Sequence, residues 1–493
     1  MILEYVSMRK AVLQISALAG CLLAPAYASA QGAAEPQPVY EKRSYISGLE
    51  LLGHSFPGQE RGGKMQMMIK GDKRYMVQTS FGHPGGWIID VTDPLKPVIV
   101  NAHAFPEGDN VQVAWRGDLQ KWIAMVSVGQ TEPGAPGFRG VQFWDITNPE
   151  HTLLLSSWSQ DGGDPARKVQ EGGRPHRNYY DGGRYAYIST SPNDEYYLTE
   201  GDRRGYQGAL QIIDVSDIEK PKLVSNVHMP GQLASEVQER AASETYAHPF
   251  SGTSMHGPAY VPTRLEDGGK YAYGSWNGFG MAIHDVSDPT AVSLVSTWVP
   301  KRIEGRGFLV HTVDPTHVGR GFVIVTPEEV APGCSSPRFE NSIVDVSDPA
   351  HPFKIADLPT PTAPADAPYT SFCDRYGRFG THNAPHLKAP GKAAANFTCY
   401  TWFAAGLQCY DITDPKSPRI VSYFVPEQGA DDGIRARGAR TADDVFIEWD
   451  RKLIWVSTDT GNYVLSSPEL GEPVLGPAPA AEWTLPGLNV GHP

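Results

Sequence analysis

The chain of 493 residues has five cysteines, no excess of positive charge, and no long apolar run beyond the one at its N-terminus. Each shortage closes off a class of function. With 42 Lys plus Arg against 55 Asp plus Glu, the formal net charge is −13. No clustered basic surface remains to neutralise phosphates, so nucleic acid is set aside as a partner. No later stretch is apolar enough to cross a bilayer, so no transmembrane segment is expected in the mature chain. The sequence also lacks a G-x-S-x-G nucleophile elbow, a P-loop and a dinucleotide-binding glycine fingerprint. Serine-hydrolase, NTPase and Rossmann chemistry therefore have no foothold. Glycoside hydrolysis needs two facing carboxylates, and no pair stands out among the acidic residues.

Turn-forming and aromatic residues are plentiful instead: 51 Gly, 42 Pro, 11 Trp and 22 Tyr, with 20% charged residues. That composition suits many short strands joined by specified turns. The N-terminus reads as a secretory signal peptide over 1–30: Met8-Arg9-Lys10, an apolar run from Ala11, then Ala28-Ser29-Ala30 before Gln31. Translation from Met8 fits this pattern better than from Met1. A competing reading takes Leu18-Ala19-Gly20-Cys21 as a lipobox, which would anchor the chain through lipid on Cys21. Either way the expected location is periplasmic or secreted, outside the cytoplasm.

Removing 1–30 leaves Cys334, Cys373, Cys399 and Cys409, an even number in an oxidising compartment. Three pairings are possible. Cys399 with Cys409 is the preferred bridge, because they flank a short hairpin turning near Ala404-Ala405-Gly406; the alternative is a pair of buried thiols.

Six segments repeat a strand–turn–strand pattern around D-[VI]-[ST]-[DN]-P: 88–100, 141–155, 210–224, 281–295, 341–355 and 407–421. Their aspartates, Asp90, Asp145, Asp214, Asp285, Asp345 and Asp411, lie 55 to 71 residues apart. Acidic and hydroxyl side chains can accept from backbone N–H groups just ahead, and Pro fixes φ, so these aspartates are expected to staple turns. Two more strand-like stretches precede each copy, as in RYAYIST before GALQIIDVSD and KYAYGSW before GFGMAIHDVSD. Four antiparallel strands per unit predict a propeller blade. A degenerate seventh unit, TADDVFIEWDRKLIWVSTDTGNYVLSSPE, lacks its fourth strand, and PVYEKRSYISG at 38–48 resembles one. The expectation is all-β: a single seven-bladed β-propeller over 31–469 closed by the N-terminal strand joining the last blade, with a Pro-rich tail over 470–493.

The six segments resemble the LVIVD repeat family of exported β-propeller proteins. Copy two has Asn148 for Asp, copy three has Ile218 for Pro, and the seventh unit has lost the motif. The resemblance implies a fold and an export route and leaves activity open.

Histidines mark the expected site. In blades three to six the innermost strand begins with one: His176, His256, His311 and His382. First strands line the central channel, so the four imidazoles are predicted to converge as ligands of a transition metal, copper or iron for preference and zinc as a third choice. Lys64, Asn110 and Thr441 stand in their place in blades one, two and seven. That leaves an open side, as a catalytic metal requires. His317 and His386 follow as further ligands or supports, and Glu195, Glu328 and Glu329 as carboxylates to orient the rings. Trp87, Trp144, Trp276 and Trp402 are expected to pack blades. The alternative for the histidines is a packing residue inherited by duplication. A weaker, fold-level similarity to the selenium-binding-protein and methanethiol oxidase family, where copper is implied, and to carotenoid-cleaving oxygenases, which hold iron with four histidines, points toward an oxidoreductase acting on a small-molecule substrate. The rival reading is a non-catalytic binding module for an envelope protein.

Overall fold

A computed structural model describes residues 41–478 apart from 56–62, 80–84, 107, 109, 130–137, 161–174, 191–195, 198–207, 248–251, 303–306, 336–337 and 430–440. The expected signal peptide over 1–30, Cys21 within it and Glu195 lie outside the described residues.

Each repeat turn is fixed atom by atom. The aspartate that ends the third strand accepts from the backbone N–H two residues on in all six copies. Asp90 takes Thr92 N at 2.9 Å, Asp145 takes Thr147 N at 3.0 Å, and Asp214 takes Ser216 N at 2.8 Å. Asp285, Asp345 and Asp411 do the same with Ser287, Ser347 and Thr413 at 2.9–3.0 Å. The next acidic residue repeats the device, Asp93 accepting from Leu95 N and Asp414 from Lys416 N, both at 3.0 Å. Two consecutive Asx turns leave the chain one way to reverse. The outer oxygens pair with a basic residue opening the neighbouring strand, as in Lys73–Asp90, Lys121–Asp145 and Arg184–Asp214. Such surface pairs contribute about 0–1 kcal/mol each. A β-bulge recurs just ahead of the turn, at Ile88/Ile89, Ile212/Ile213, Ile283/His284 and Cys409/Tyr410, and adds twist.

Seven four-stranded antiparallel sheets follow, and they form a seven-bladed β-propeller. Blade one comprises Met65–Lys70, Lys73–Thr79, Gly86–Asp90 and Val98–Asn101, and blade two begins with Val111–Arg116. Blades three, four and five begin with Asn178–Tyr180, Ala259–Tyr260 and Gly307–Asp314. Innermost strands lie side by side: Met65–Lys70 against both Val111–Arg116 and Ala442–Glu448, and Asn178–Tyr180 against Ala259–Tyr260. Buried between the blades are Trp87, Trp276, Trp402 and Trp455, the aromatic packing foreseen for the first three. Trp144 is half-buried and meets Phe105 edge-on at 5.8 Å.

Ring closure differs in detail from the expectation. The strand completing blade seven is Glu50–Ser55, paired antiparallel with Gly461–Ser466. The stretch assigned that role contributes only Tyr45–Ser47, which adds to the outside of blade six by pairing with Arg419–Val425. Two N-terminal strands therefore lock two blades. ELLGHS has the bulge of a fourth strand, between Leu51 and Gly53, as SLVSTW and KLVSNV have against their third strands.

Blades are also joined by a recurrent basic clamp. Arg451 of blade seven donates to the carbonyls of Val91 and Thr92, at 3.0 and 2.9 Å, in the first repeat turn. Arg116 of blade two donates to Val215 and Ser216, and Arg320 of blade five to Ile412 and Thr413. These are the same two positions after the stapled aspartate each time. The turn thus presents its carbonyls to the preceding blade as well as reversing its own.

The four cysteines form two disulfides, Cys399–Cys409 and Cys334–Cys373. Cys399 and Cys409 are directly opposed across the hairpin.

From blade six the segment 384–390 reaches blades one, two, three and seven. His386 reaches Gln66 and Asp444, Lys388 donates to the carbonyls of Val113 (3.0 Å) and Tyr180, and the Pro390 carbonyl accepts from Trp449 N at 2.9 Å. Burial lowers Lys388 from 10.5 to about 7, with Asp181 opposing the shift. The unfolded chain binds that proton more tightly, so Lys388 makes folding stability rise with pH from about 7 toward 10, by up to about 1.4 kcal/mol per pH unit. Urea unfolding of the wild type and Lys388→Met at pH 7.5 and 9 should show this rise in the wild type and a flatter response in the variant.

Candidate metal centre on the propeller axis

His176, His256, His311 and His382 stand side by side in chain order around the axis. Ring centroids are 4.8 Å apart for His176–His256, 4.7 Å for His256–His311 and 4.8 Å for His311–His382. His311 lies within the innermost strand Gly307–Asp314, His176 and His256 just ahead of Asn178–Tyr180 and Ala259–Tyr260, and His382 in an extended segment beside the second strand of blade six. His256 N donates to Ser275 O at 3.0 Å and His382 N to Thr401 O at 2.9 Å, anchoring both to the second strands. A Cβ on Gly257 would lie 2.1 Å from the His311 carbonyl, so glycine here lets blades four and five approach closely enough to bring their histidines together.

Glu328, from the second strand of blade five, faces this arc. Its Oε2 lies 3.5 Å from His256 Nε2 and 3.4 Å from His311 Nε2, and its Oε1 lies 3.8 Å from His382 Nε2. His256, His311 and Glu328 offer ligand atoms all within 4.8 Å of one another, a group able to hold a metal ion. The sequence sets this up locally. Between the pairs Phe308↔Glu328 and Thr312↔Thr326, three residues of the first strand oppose one of the second, which is Pro327. Proline gives no ladder hydrogen bond, and the bulge that results redirects His311.

The Nδ1 atoms of two of the rings have polar neighbours. His311 Nδ1 lies 2.7 Å from Thr312 Oγ1, and His382 Nδ1 lies 3.2 Å from Asp443 Oδ1. Both rings turn Nε2 toward Glu328, and outer partners of this kind orient metal-binding imidazoles. His256 stacks on Phe308 at 3.7 Å and His382 on Phe403 at 4.6 Å. Burial lowers His256 to about 4 and His311 well below its ordinary value, against the pull of Glu328. Both rings are neutral at physiological pH, the form that binds metals. Burial also opposes ionisation of Glu328, but the His256 contact, the other two imidazoles and Arg378 at 2.7 Å hold its carboxyl well below the usual range.

Other sequence candidates fall elsewhere. His317 sits in a turn, stacked with Phe322 at 5.5 Å. His386 is tied to Asp444 at 2.7 Å and Gln66 at 2.6 Å. Glu329 accepts from Phe339 N at 2.9 Å, and burial pushes it up to about 8. Lys64 and Asn110 do reach the axis, where they line a cavity with Arg177, Gln112, Tyr260 and Thr312. Thr441 accepts from Gln428 at 3.0 Å instead. A register shift between Ala442 and Asp444 re-aims blade seven, and Asp443 and Asp444 take the places facing His382 and Lys64. Sequence reasoning missed Arg177, Arg378, Asp443 and Asp444. Arg177 directly follows a site histidine, the one signal that could have found it.

Residues 268–298 and 342–357, in blades four and five, match the family model described as LVIVD repeat. Most of the chain also aligns with solved structures at low identity. One is the periplasmic gluconolactonase PpgL of Pseudomonas aeruginosa, at 11% identity and TM-score 0.46, covering 90% of this chain and 98% of that one. Another is the Cps50 (Swd1) β-propeller domain of Myceliophteria thermophila, at 11% identity and TM-score 0.42, covering 85% and 98%. No curated protein matches the sequence. Among the described residues no helix is long and apolar enough to cross a membrane.

Proposed function

We propose that this chain is a periplasmic or secreted metal-dependent oxidoreductase that holds one copper or iron ion on the propeller axis through His176, His256, His311 and His382. The observation that carries the reading is the convergence of three Nε2 atoms, from blades four, five and six, on one carboxylate at 3.4–3.8 Å. His311 Nε2 has no hydrogen-bond partner among the described residues. A buried lone pair left without a partner costs free energy, which ligation recovers. Neutral imidazoles with a carboxylate form a donor set for Cu(II) or Fe(II), and zinc accepts the same atoms.

When bound, such an ion supplies Lewis acidity and one-electron exchange with O2 or a small-molecule substrate. The chain's own residues prepare the place. Thr312 and Asp443 hold the orientation of two rings, Arg378 steadies Glu328, and Phe308 and Phe403 stack on His256 and His382. Blades one and two bring no histidine to the arc, so that side is left for a substrate. The likeness in kind to the selenium-binding-protein and methanethiol oxidase propellers, where histidines from several blades share one ion, agrees with this assignment.

Metal analysis of protein purified without a histidine tag is expected to give about one transition ion per chain, with thermal stability falling on chelation. Metal-free protein whose stability ignores chelators would overturn the reading and leave the ring as a binding module for envelope proteins.

A further inference from the structure

The two disulfides differ in accessibility. Cys399 and Cys409 are fully buried in adjacent strands of blade six, whereas Cys334 and Cys373 are half-buried, with Pro332, Gly333 and Ser335 exposed around them. Cys334 follows Glu328 by six residues, in the loop that leaves the second strand of blade five, and Cys373 precedes Arg378 by five, in the segment leading into blade six. Their bridge therefore ties the element carrying the axial carboxylate to the one carrying its cationic partner, whose Nη1 lies 2.7 Å from Glu328 Oε1. The same two stretches meet where Gly333 N donates to Gly377 O at 2.9 Å and where Pro332 pairs with Arg378 in an isolated β-bridge. Cys334 itself holds a left-handed backbone, φ 55°, a strained conformation that persists only while its surroundings impose it. Arg378 is the least buried group of the axial cluster: its side chain is 15% exposed, against 4% for Glu328 and 3%, 1% and 0% for His256, His311 and His382. The guanidinium thus stands between the carboxylate and solvent, and its charge repels an incoming cation.

We propose that Cys334–Cys373 is a redox latch on the axial site: with both thiols free the site exchanges its ion, and the disulfide holds it shut by keeping Arg378 over Glu328. The latch rests on the proposed metal site for what passes through it, while its control of access stands on the bridge alone. Opening is thiol–disulfide exchange with a dithiol. One thiolate of the dithiol attacks a sulfur of the bridge, the Cys334–Cys373 bond breaks, and the second thiol resolves the mixed disulfide. The dithiol leaves as a disulfide, having given up two electrons and two protons, and Cys334 and Cys373 become thiols. Closing is the reverse, with the disulfide of an exported thiol oxidant accepting the electrons. A chain that meets its ion before this bridge is oxidised then retains it.

Mild treatment of the folded protein with dithiothreitol, followed by alkylation, should label Cys334 and Cys373 and leave Cys399 and Cys409 unlabelled. Copper(II) uptake by the chelated protein, and its removal by EDTA, should each be at least about tenfold faster in this alkylated form and in Cys334→Ser/Cys373→Ser than in the disulfide form, because a lost cross-link favours local opening. Carbethoxylation of the axial histidines by diethyl pyrocarbonate should accelerate likewise in protein without metal, with exposed His151 unchanged. Opening the bridge in wild-type protein that has already folded keeps the result decisive should the double variant not fold. Equal rates in the two redox states, or labelling of all four cysteines together, overturn the inference. Loss of the circular-dichroism signal on reduction overturns it too, because the bridge would then be a structural staple. Failure of the metal reading registers separately, as no copper uptake in either state while carbethoxylation still follows the disulfide.

Discussion

His256→Ala should reduce the metal content of the purified protein at least about tenfold, since even outer partners of metal ligands are worth 10- to 100-fold. His256 is one of the two inner rings of the arc, 4.8 Å from His176 on one side and 4.7 Å from His311 on the other, and it faces Glu328 at 3.5 Å. His151→Ala is the matched control, because His151 is exposed in a repeat turn. Elemental analysis of the two variants beside the wild type decides the matter, and equal losses would refute a central site.

The second large effect is on stability. Glu448 is fully buried in blade seven, where it accepts from Arg74 of blade one at 2.9 Å, from Arg451 at 2.8 and 2.9 Å, and from Trp455 Nε1 at 2.7 Å. The guanidinium groups hold its carboxyl below the ordinary range against the opposing effect of burial. Glu448→Ala leaves two buried arginines with fewer counter-charges and should cost about 3–5 kcal/mol. Lys73→Ala, which breaks the surface pair with Asp90 at 3.2 Å, should cost less than about 1 kcal/mol. Denaturant unfolding of the two variants should separate them clearly. Similar losses would mean that the junction between the first and last blades is no more critical than its surface.

The blade count and the turn chemistry could be read from the sequence because both are local: an aspartate and the N–H two residues ahead need nothing from the rest of the chain. The histidine arc was legible for a related reason. Equivalent positions in duplicated blades must face a common axis whatever their neighbours. What escaped was set by distant parts of the chain meeting. Glu328 looked like one of two adjacent acids, and only the bulge opposite Pro327 distinguishes it from Glu329. Thr441 was aligned by counting along the strand, and the register shift beside Asp444 moved the axial position. The closing strand was misplaced because two successive N-terminal stretches both carry fourth-strand patterns, and local preference cannot say which blade each will join.

That closure bears on where the ends of the molecule could be. Glu50 lies opposite Ser466, just as third and fourth strands meet across the repeat turn in other blades. A permuted gene could begin at Met65, run to Ser466, and continue through a D-V-S-D-P turn into Glu50–Ser55. Blade seven would then be contiguous in sequence and the longest-range pairing would become a hairpin, while blade six would lose the added strand Tyr45–Ser47. Such a chain should reach the same ring faster, because closure would no longer wait for the two ends of the polypeptide to find each other.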